Sequence, residues 1–344
     1  MKNINRRNFV KRTSIGSLGA ATLGFSNVSF ANGEAEKEKN ASERPREVWI
    51  AAMTNTGAQG TFKEKTDAML AQMENAVPIK PDIYCLPETF LDPAQKSLEK
   101  NAEDGSGRIA GPFQAFAKKN NCYVICPINT VENGKYYNAA VLIDRQGKMI
   151  GQYRKCRITE EEVEQMGITP GPIDPPIFKT DFGTIGIQIC FDIEWPESWR
   201  ALAKKGAEIV FWPSAFAAGK KLNAKAWENQ YVVVSSTLKN RSRIIDITGE
   251  DVATSGNWSS WGACAPVNLE KAFLASWPYV MSFPAIQKKY GRKVKISSLS
   301  EEEFSVIESL SPDVKIADVM KEFNLKTYRE HLASAQVKQD AKRV

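Results

Sequence analysis

The chain has 344 residues, of which 42% are hydrophobic and 25% charged, with a formal net charge of +6. That is ordinary globular composition, with enough apolar residues for a sizeable core. It excludes a disordered or fibrous chain, and no run of about 18 apolar residues is present to span a bilayer.

Residues 1–31 read differently from the rest. Paired Arg6 and Arg7 are followed by Phe9 and Lys11, then by a weakly apolar stretch from Ile15 to Phe25, then by Ser29-Phe30-Ala31. The order of basic, apolar and small-residue regions predicts a twin-arginine export signal with a cleavage site, and hence a periplasmic or secreted protein. No cysteine follows the apolar region, so a lipid anchor is not supported. The segment carries five basic residues and no acid, so its removal takes the charge from +6 to +1. The mature chain therefore offers no electrostatic case for nucleic acid or acidic lipid as a partner, and no membrane association is expected after signal removal. Residues 32–46 are polar and charged and predict a flexible tether.

An ordered domain is expected over 47–344. "VWIAAM" predicts a strand, the segment from Phe62 to Val77 a helix, and "PDIYCLPETF" a strand ending in a loop. A helix over "PFQAFAKKNN" and a strand over "CYVICPI" follow. "GKYYNAAVLIDRQGKMIGQYRK" predicts a hairpin turning at Arg145-Gln146-Gly147. Beyond it come a strand at "FGTIGIQIC", a helix at "WPESWRALAKKG", a strand at "AEIVFWP", and "KAWENQYVVVSS" as a helix running into a strand. Regular alternation of this kind predicts a layered α/β domain. Residues 276–344 are less regular, with a strand at "EEFSVIESL" and two short amphipathic segments.

Six cysteines are present: Cys85, Cys122, Cys126, Cys156, Cys190 and Cys264. Cys85 and Cys126 lie inside strand-like runs, where a buried free thiol is usual. Cys122 and Cys126 lack the second pair or nearby histidine that would complete a zinc site, so no metal is expected. Cys190 is placed differently. Ile185, Ile187 and Ile189 alternate with Thr184, Gly186 and Gln188, so Cys190 ends a strand. Pro196 marks the helix after it, with Trp195, Trp199, Leu202 and Ala203 as its apolar stripe. A thiol between a strand end and a helix start meets backbone N–H groups that can hold a developing oxyanion. Taken alone, a buried structural cysteine is the better reading, since free cysteines are usually core residues.

A nucleophilic thiol needs a base. The one histidine, His331, lies in the polar segment "YREHLASAQ", which reads as a surface helix. A carboxylate must then serve, with a lysine as its electrostatic partner. Glu88 stands just past an apolar strand, where a charge needs a reason. Lys155 ends a hairpin strand.

These three residues, in "LPETFL", "YRK" and "ICFD", resemble the Glu-Lys-Cys triad of the nitrilase, or carbon–nitrogen hydrolase, superfamily. The hairpin before Lys155, the helix and strand after Cys190, and "AWENQYVVVSS" resemble the family's segments in the same order over about residues 47 to 275. Residues 276–344 match only loosely. The resemblance implies a four-layer αββα sandwich, homodimers, no cofactor, and hydrolysis of a small-molecule amide or N-carbamoyl substrate. Cys190 would attack the carbonyl carbon. Glu88 would take the thiol proton, return it to the leaving amine and then activate water. Lys155 and the backbone N–H of Phe191 would hold the oxyanion. Many members add a second glutamate before a Pro-Gly. Among Glu160, Glu161, Glu162 and Glu164, counting back from Pro170-Gly171 selects Glu164. Phe191, Glu194 and Trp212 are expected at the substrate pocket.

Two departures refine the expectation. The cysteine loop is most similar to the N-carbamoyl-D-amino acid hydrolases, in which two arginines follow the Cys-x-Asp and hold a carboxylate. This chain has Ile193 and Glu194 there, which argues against a carboxylate substrate, since like charges repel. A cap on the following helix is the other reading of Glu194. Phe191-Asp192 stands where true nitrilases carry Trp-Glu, favouring amide or carbamoyl over nitrile hydrolysis. The alternatives are a nitrilase or acyl transferase with the same triad, and a catalytically silent binding protein on the same fold.

Overall fold

The computed structural model describes residues 45–55, 57–95, 98–239, 241–256 and 260–343. The export signal and nearly all of the tether lie outside these residues. Arg46, placed in the tether from sequence, belongs to the domain: it pairs with Glu208 at 2.6 Å, and its carbonyl accepts the Leu269 amide.

The domain opens with strand β1 (Glu47–Met53) and helix α1 (Phe62–Met73). Strand β2 (Ile83–Cys85), helices α2 (Leu98–Asn101) and α3 (Gly111–Asn120), and strands β3 (Tyr123–Glu132), β4 (Lys135–Ile143) and β5 (Met149–Arg154) follow. Helix α4 (Glu160–Glu164) leads to strands β6 (Ile177–Lys179) and β7 (Thr184–Ile187). Helix α5 (Pro196–Lys204), strand β8 (Ile209–Ser214), helix α6 (Lys220–Asn229) and strands β9 (Val232–Thr237), β10 (Arg243–Ile245), β11 (Asp251–Thr254) and β12 (Gly262–Asn268) complete the two main sheets.

One sheet runs β12-β1-β2-β3-β4-β5 and the other β11-β10-β9-β8-β7-β6. The predicted hairpin is β4–β5, closed by the Gly147 amide on the Asp144 carbonyl at 2.9 Å. Gly147 has φ +78°, a conformation glycine reaches without a Cβ penalty.

Alternation along the strands builds the layers. Ile50, Ala52, Cys85, Ile125 and Leu142 of the first sheet meet Ile185, Ile187, Phe211 and Val234 of the second. The opposite face of the first sheet, with Met53, Tyr84 and Val124, is covered by Met69 and Met73 of α1 and Phe113 and Phe116 of α3. Val210, Trp212 and Val233 on the outer face of the second are covered by Trp199 and Leu202 of α5 and Leu222 and Ala226 of α6. This is an αββα sandwich whose central strands bury both faces, which explains their near-continuous apolar runs. The fit between β7 and α5 is close: a Cβ on Gly186 would meet Leu202 methyl carbons at 2.8 and 2.9 Å.

The last residues form a further layer. Strands β13 (Lys271–Ala275), β14 (Val294–Leu299) and β15 (Phe304–Ser309) make a third sheet in the order β13-β15-β14. Helices α7 (Phe283–Tyr290) and α8 (Ile316–Glu322) close a small core of their own on it, around Leu274, Ile286, Ile307 and Val319. Its other side carries Phe273 and Phe304, which pack on Trp227 of α6. Helix α9 (Tyr328–Asp340) has no buried residue. Among the described residues no helix is long and apolar enough to cross a membrane.

Candidate active site

Glu88 lies three residues past β2, at the ends of parallel strands where the chain must leave the sheet. It is 4% exposed. Its Oε1 accepts from Lys155 Nζ and from Asn138 Nδ2, both at 2.9 Å, and its Oε2 accepts from the Ala215 amide at 2.9 Å. Lys155 follows β5 directly. Its amide donates to the Asn138 carbonyl and its carbonyl accepts the Gly171 amide, both at 2.8 Å, so the backbone aims the side chain inward.

The second glutamate is Glu162. The expectation of Glu164 is corrected: Glu164 is exposed at the end of α4, whereas Glu162 is buried. Glu162 Oε2 accepts from Lys155 Nζ at 2.8 Å and from the Thr159 amide at 2.8 Å, while Oε1 accepts from Asn138 Nδ2 at 2.8 Å. The physical reason is the helix start. Thr159 and Glu162 form a capping box, with the glutamate curled back over the first turn, and this aims it at Lys155. The sequence carries the local half of this signal, since Thr159-x-x-Glu162 is the capping-box pattern, while the contact with Lys155 is set by tertiary packing.

Asn138, which sequence reading did not single out, donates through one amide nitrogen to both carboxylates. Gln95 adds a weak contact to Glu162 Oε1 at 3.4 Å.

The charges set one another. Burial alone would disfavour the Lys155 ammonium, but Glu88 and Glu162 outweigh it and raise its pKa above the ordinary lysine value. Burial likewise opposes ionisation of Glu162, yet Lys155, Asn138 and the Thr159 amide together lower its pKa.

Cys190 begins a short 3₁₀ turn, Cys190–Glu194, with φ +45°. A non-glycine residue in this left-handed region is strained, and such residues concentrate at functional sites. The helix that Pro196 marks in the sequence is α5, and the 3₁₀ turn separates its start from the thiol. At the end of β8, Ser214 and the Ala215 backbone favour the thiolate and hold the thiol pKa down in part, and the Ala215 amide donates to Glu88 Oε2 at 2.9 Å. Burial, then the Glu88 charge, pushes the Cys190 thiol up to about 12 against the pull of Lys155.

The cysteine turn is pinned from three sides. Trp212 is fully buried and donates its indole N–H to the Cys190 carbonyl at 3.0 Å. It is a support for the turn, and the expectation that it lines the pocket is corrected, since its ring faces the α5–α6 layer. Trp199 holds the Asp192 carbonyl at 3.0 Å. The Asp192 carboxylate accepts from Tyr153 Oη at 2.7 Å and from the Ile189 and Arg157 amides at 2.8 Å each. It thus ties the cysteine turn to the segment after Lys155. Burial raises its pKa to about 6, with those donors resisting.

Phe191 is half-buried and packs edge-on against Trp195, with centroids 5.0 Å apart. Trp195 precedes α5 and does not join its buried stripe. Glu194 is exposed and bonds Lys221 Nζ at 2.6 and 2.9 Å. It does not cap α5, which has no side-chain cap. All six cysteines are free thiols. His331 sits on α9, with Nδ1 3.3 Å from Tyr279 Oη.

The model of the carbon–nitrogen hydrolase family matches residues 50–272. The chain belongs to this family. The matched span contains Glu88, Lys155, Glu162 and Cys190 and ends where the third sheet begins. A Pseudomonas protegens protein named as a hydrolase in the pqqF 5' region is 35% identical over 163 residues, 44% of this chain and 56% of that protein. A β-ureidopropionase of Arabidopsis thaliana is 30% identical over 205 residues, 55% of this chain and 50% of that one. The chain thus spans about half the length of these relatives. Among solved structures, a Saccharomyces cerevisiae member of the nitrilase superfamily superposes with a TM-score of 0.59 at 19% identity, covering 73% of this chain and 97% of that one. The carbon–nitrogen hydrolase fold therefore extends over the sandwich.

Proposed function

We propose that this protein hydrolyses a carbon–nitrogen bond other than a peptide bond, in an amide or N-carbamoyl compound, through a Cys190 thioester. The observation that carries the reading is the buried convergence of Glu88, Lys155 and Glu162, from three separate segments, with contacts of 2.8–2.9 Å. Burying two carboxylates and an ammonium costs several kcal/mol of desolvation, on the order of the stability of a small domain, unless all are paired. Chemistry is the reason to keep them.

Glu88 removes the thiol proton as sulfur attacks the carbonyl carbon. Lys155 and the Phe191 amide stabilise the tetrahedral oxyanion, and Glu162 keeps Lys155 charged. The C–N bond breaks as Glu88 returns the proton to the departing nitrogen. Glu88 then takes a proton from water, which attacks the thioester, and the proton returns to sulfur as the acid leaves. Asn138 holds both carboxylates in register, and Asp192 and Trp212 hold the sulfur in place.

The test is ammonia release from a panel of primary amides, N-carbamoyl compounds and nitriles, with intact mass of the protein. Turnover of amides or carbamoyl compounds, with an acyl adduct on Cys190 and none in Cys190→Ala, is expected. Release from nitriles alone would make the protein a nitrilase. No turnover and no adduct would leave a silent binding fold.

The same proposal takes residues 1–31 as a twin-arginine leader and the mature protein as an exported homodimer. Exchange of Arg6 and Arg7 for lysine should hold the protein in the cytoplasm, and light scattering on the mature chain should give twice the protomer mass.

A further inference from the structure

Arg157 stands two residues past Lys155. Its amide is fixed to Asp192 Oδ1 at 2.8 Å. Its guanidinium lies over the Trp195 ring, 5.2 Å from the centroid. Trp195 in turn packs on Phe191, the residue directly after the nucleophile. Guanidinium, indole and phenyl ring thus form one continuous wall beside the cysteine turn.

The cation in that wall is half-buried and has no anionic partner among the described residues. Arg46, Arg145, Arg154 and Arg243 each hold a carboxylate, and Arg108 and Arg329 donate to backbone carbonyls. Glu194 is the acid nearest in sequence to Trp195, and Lys221 occupies both its oxygens. A guanidinium held over an aromatic ring by a cation–π contact still has N–H donors to offer, and their fork matches a carboxylate.

We propose that Arg157 is a specificity-determining residue that takes the carboxylate of an amide or N-carbamoyl substrate bearing one, an inference that rests on the hydrolase reading above. It reverses the expectation drawn from Glu194. The charge that the sequence set against an acidic substrate is neutralised by Lys221, and the receiving cation comes from the lysine loop instead of the cysteine loop.

Binding to the Cys190→Ala protein tests this, since no turnover consumes the probe. The probes are malonamate, succinamate and glutaramate, each beside its neutral primary-amide analogue, with affinity read by calorimetry. At least one acid should bind about tenfold to a hundredfold more tightly than its analogue. The preference should disappear in Cys190→Ala/Arg157→Gln and persist in part in Cys190→Ala/Arg157→Lys, which keeps the charge and loses the fork. Melting of each variant verifies the fold, and the lysine variant carries the test if the glutamine variant does not fold. No preference for any acid, no binding of any acid, or a preference that survives loss of Arg157 overturns the proposal. The two readings fail separately. A carboxylate preference without ammonia release by the wild type removes the hydrolase and leaves the anion site, whereas turnover with charge-blind binding removes only Arg157.

Discussion

Lys155 and Glu162 are seven residues apart in the chain, and their side chains meet at 2.8 Å with both nearly fully buried. The contact selects Glu162 over Glu164 as the second carboxylate and gives it two roles, as a helix-start cap and as the partner of the ammonium.

Glu162→Gln should therefore lower kcat by about a hundredfold or more, while Glu164→Gln should leave it unchanged. Breaking a buried pair should also cost about 3 kcal/mol of stability, less if Glu88 compensates. The sign in pH follows from the lowered carboxyl pKa. Its stabilisation is present above the unfolded value of about 4.3 and is lost as pH falls through the folded value. Denaturant titrations at pH 7 and pH 3 check this. The difference between the wild type and Glu162→Gln should be smaller at the second than at the first.

Glu88→Gln should abolish turnover and yet ease ionisation of the thiol. The Glu88 charge is the second contribution, after burial, that pushes Cys190 up to about 12. Alkylation by iodoacetamide, which reads the thiolate, should be faster in Glu88→Gln than in the wild type at pH 9. Equal loss of alkylation and turnover would mean that Glu88 does not raise the thiol pKa.

Glu194→Gln removes a pair that is partly solvent-exposed, with side-chain exposures of 37% and 56%. The loss should stay under about 1 kcal/mol. Relative use of acidic and neutral substrates should not change, because the Glu194 charge is already matched. A melting curve and one competition assay decide both points.

Gly186→Ala should destabilise the sandwich by about 1–3 kcal/mol, since the new methyl would overlap Leu202. Leu202→Ala in the same chain should restore part of that loss. Chemical denaturation of the single and double variants measures it.

The alternation of Ile185, Ile187 and Ile189, the amphipathic helix around Trp199 and Leu202, and the hairpin turn at Gly147 were legible because each is local. A period of two or 3.6 residues and a turn residue report which face is buried without reference to the rest of the chain. The positions of Glu88, Lys155 and Cys190 at strand ends were legible for the same reason, helped by resemblance. What the sequence determined by itself is thus the layered fold and the chemical parts. What only tertiary structure decided is how charges pair. Thr61-Glu64, Thr159-Glu162 and Thr327-Glu330 are three capping boxes of one pattern, and only the middle glutamate is buried against a lysine. From its own segment Glu194 reads as a negative charge, and Lys221 of α6 pairs with it only in the folded chain. Electrostatic interaction depends on distance through space and on the surrounding dielectric, and both are set by the packing of segments far apart in the chain.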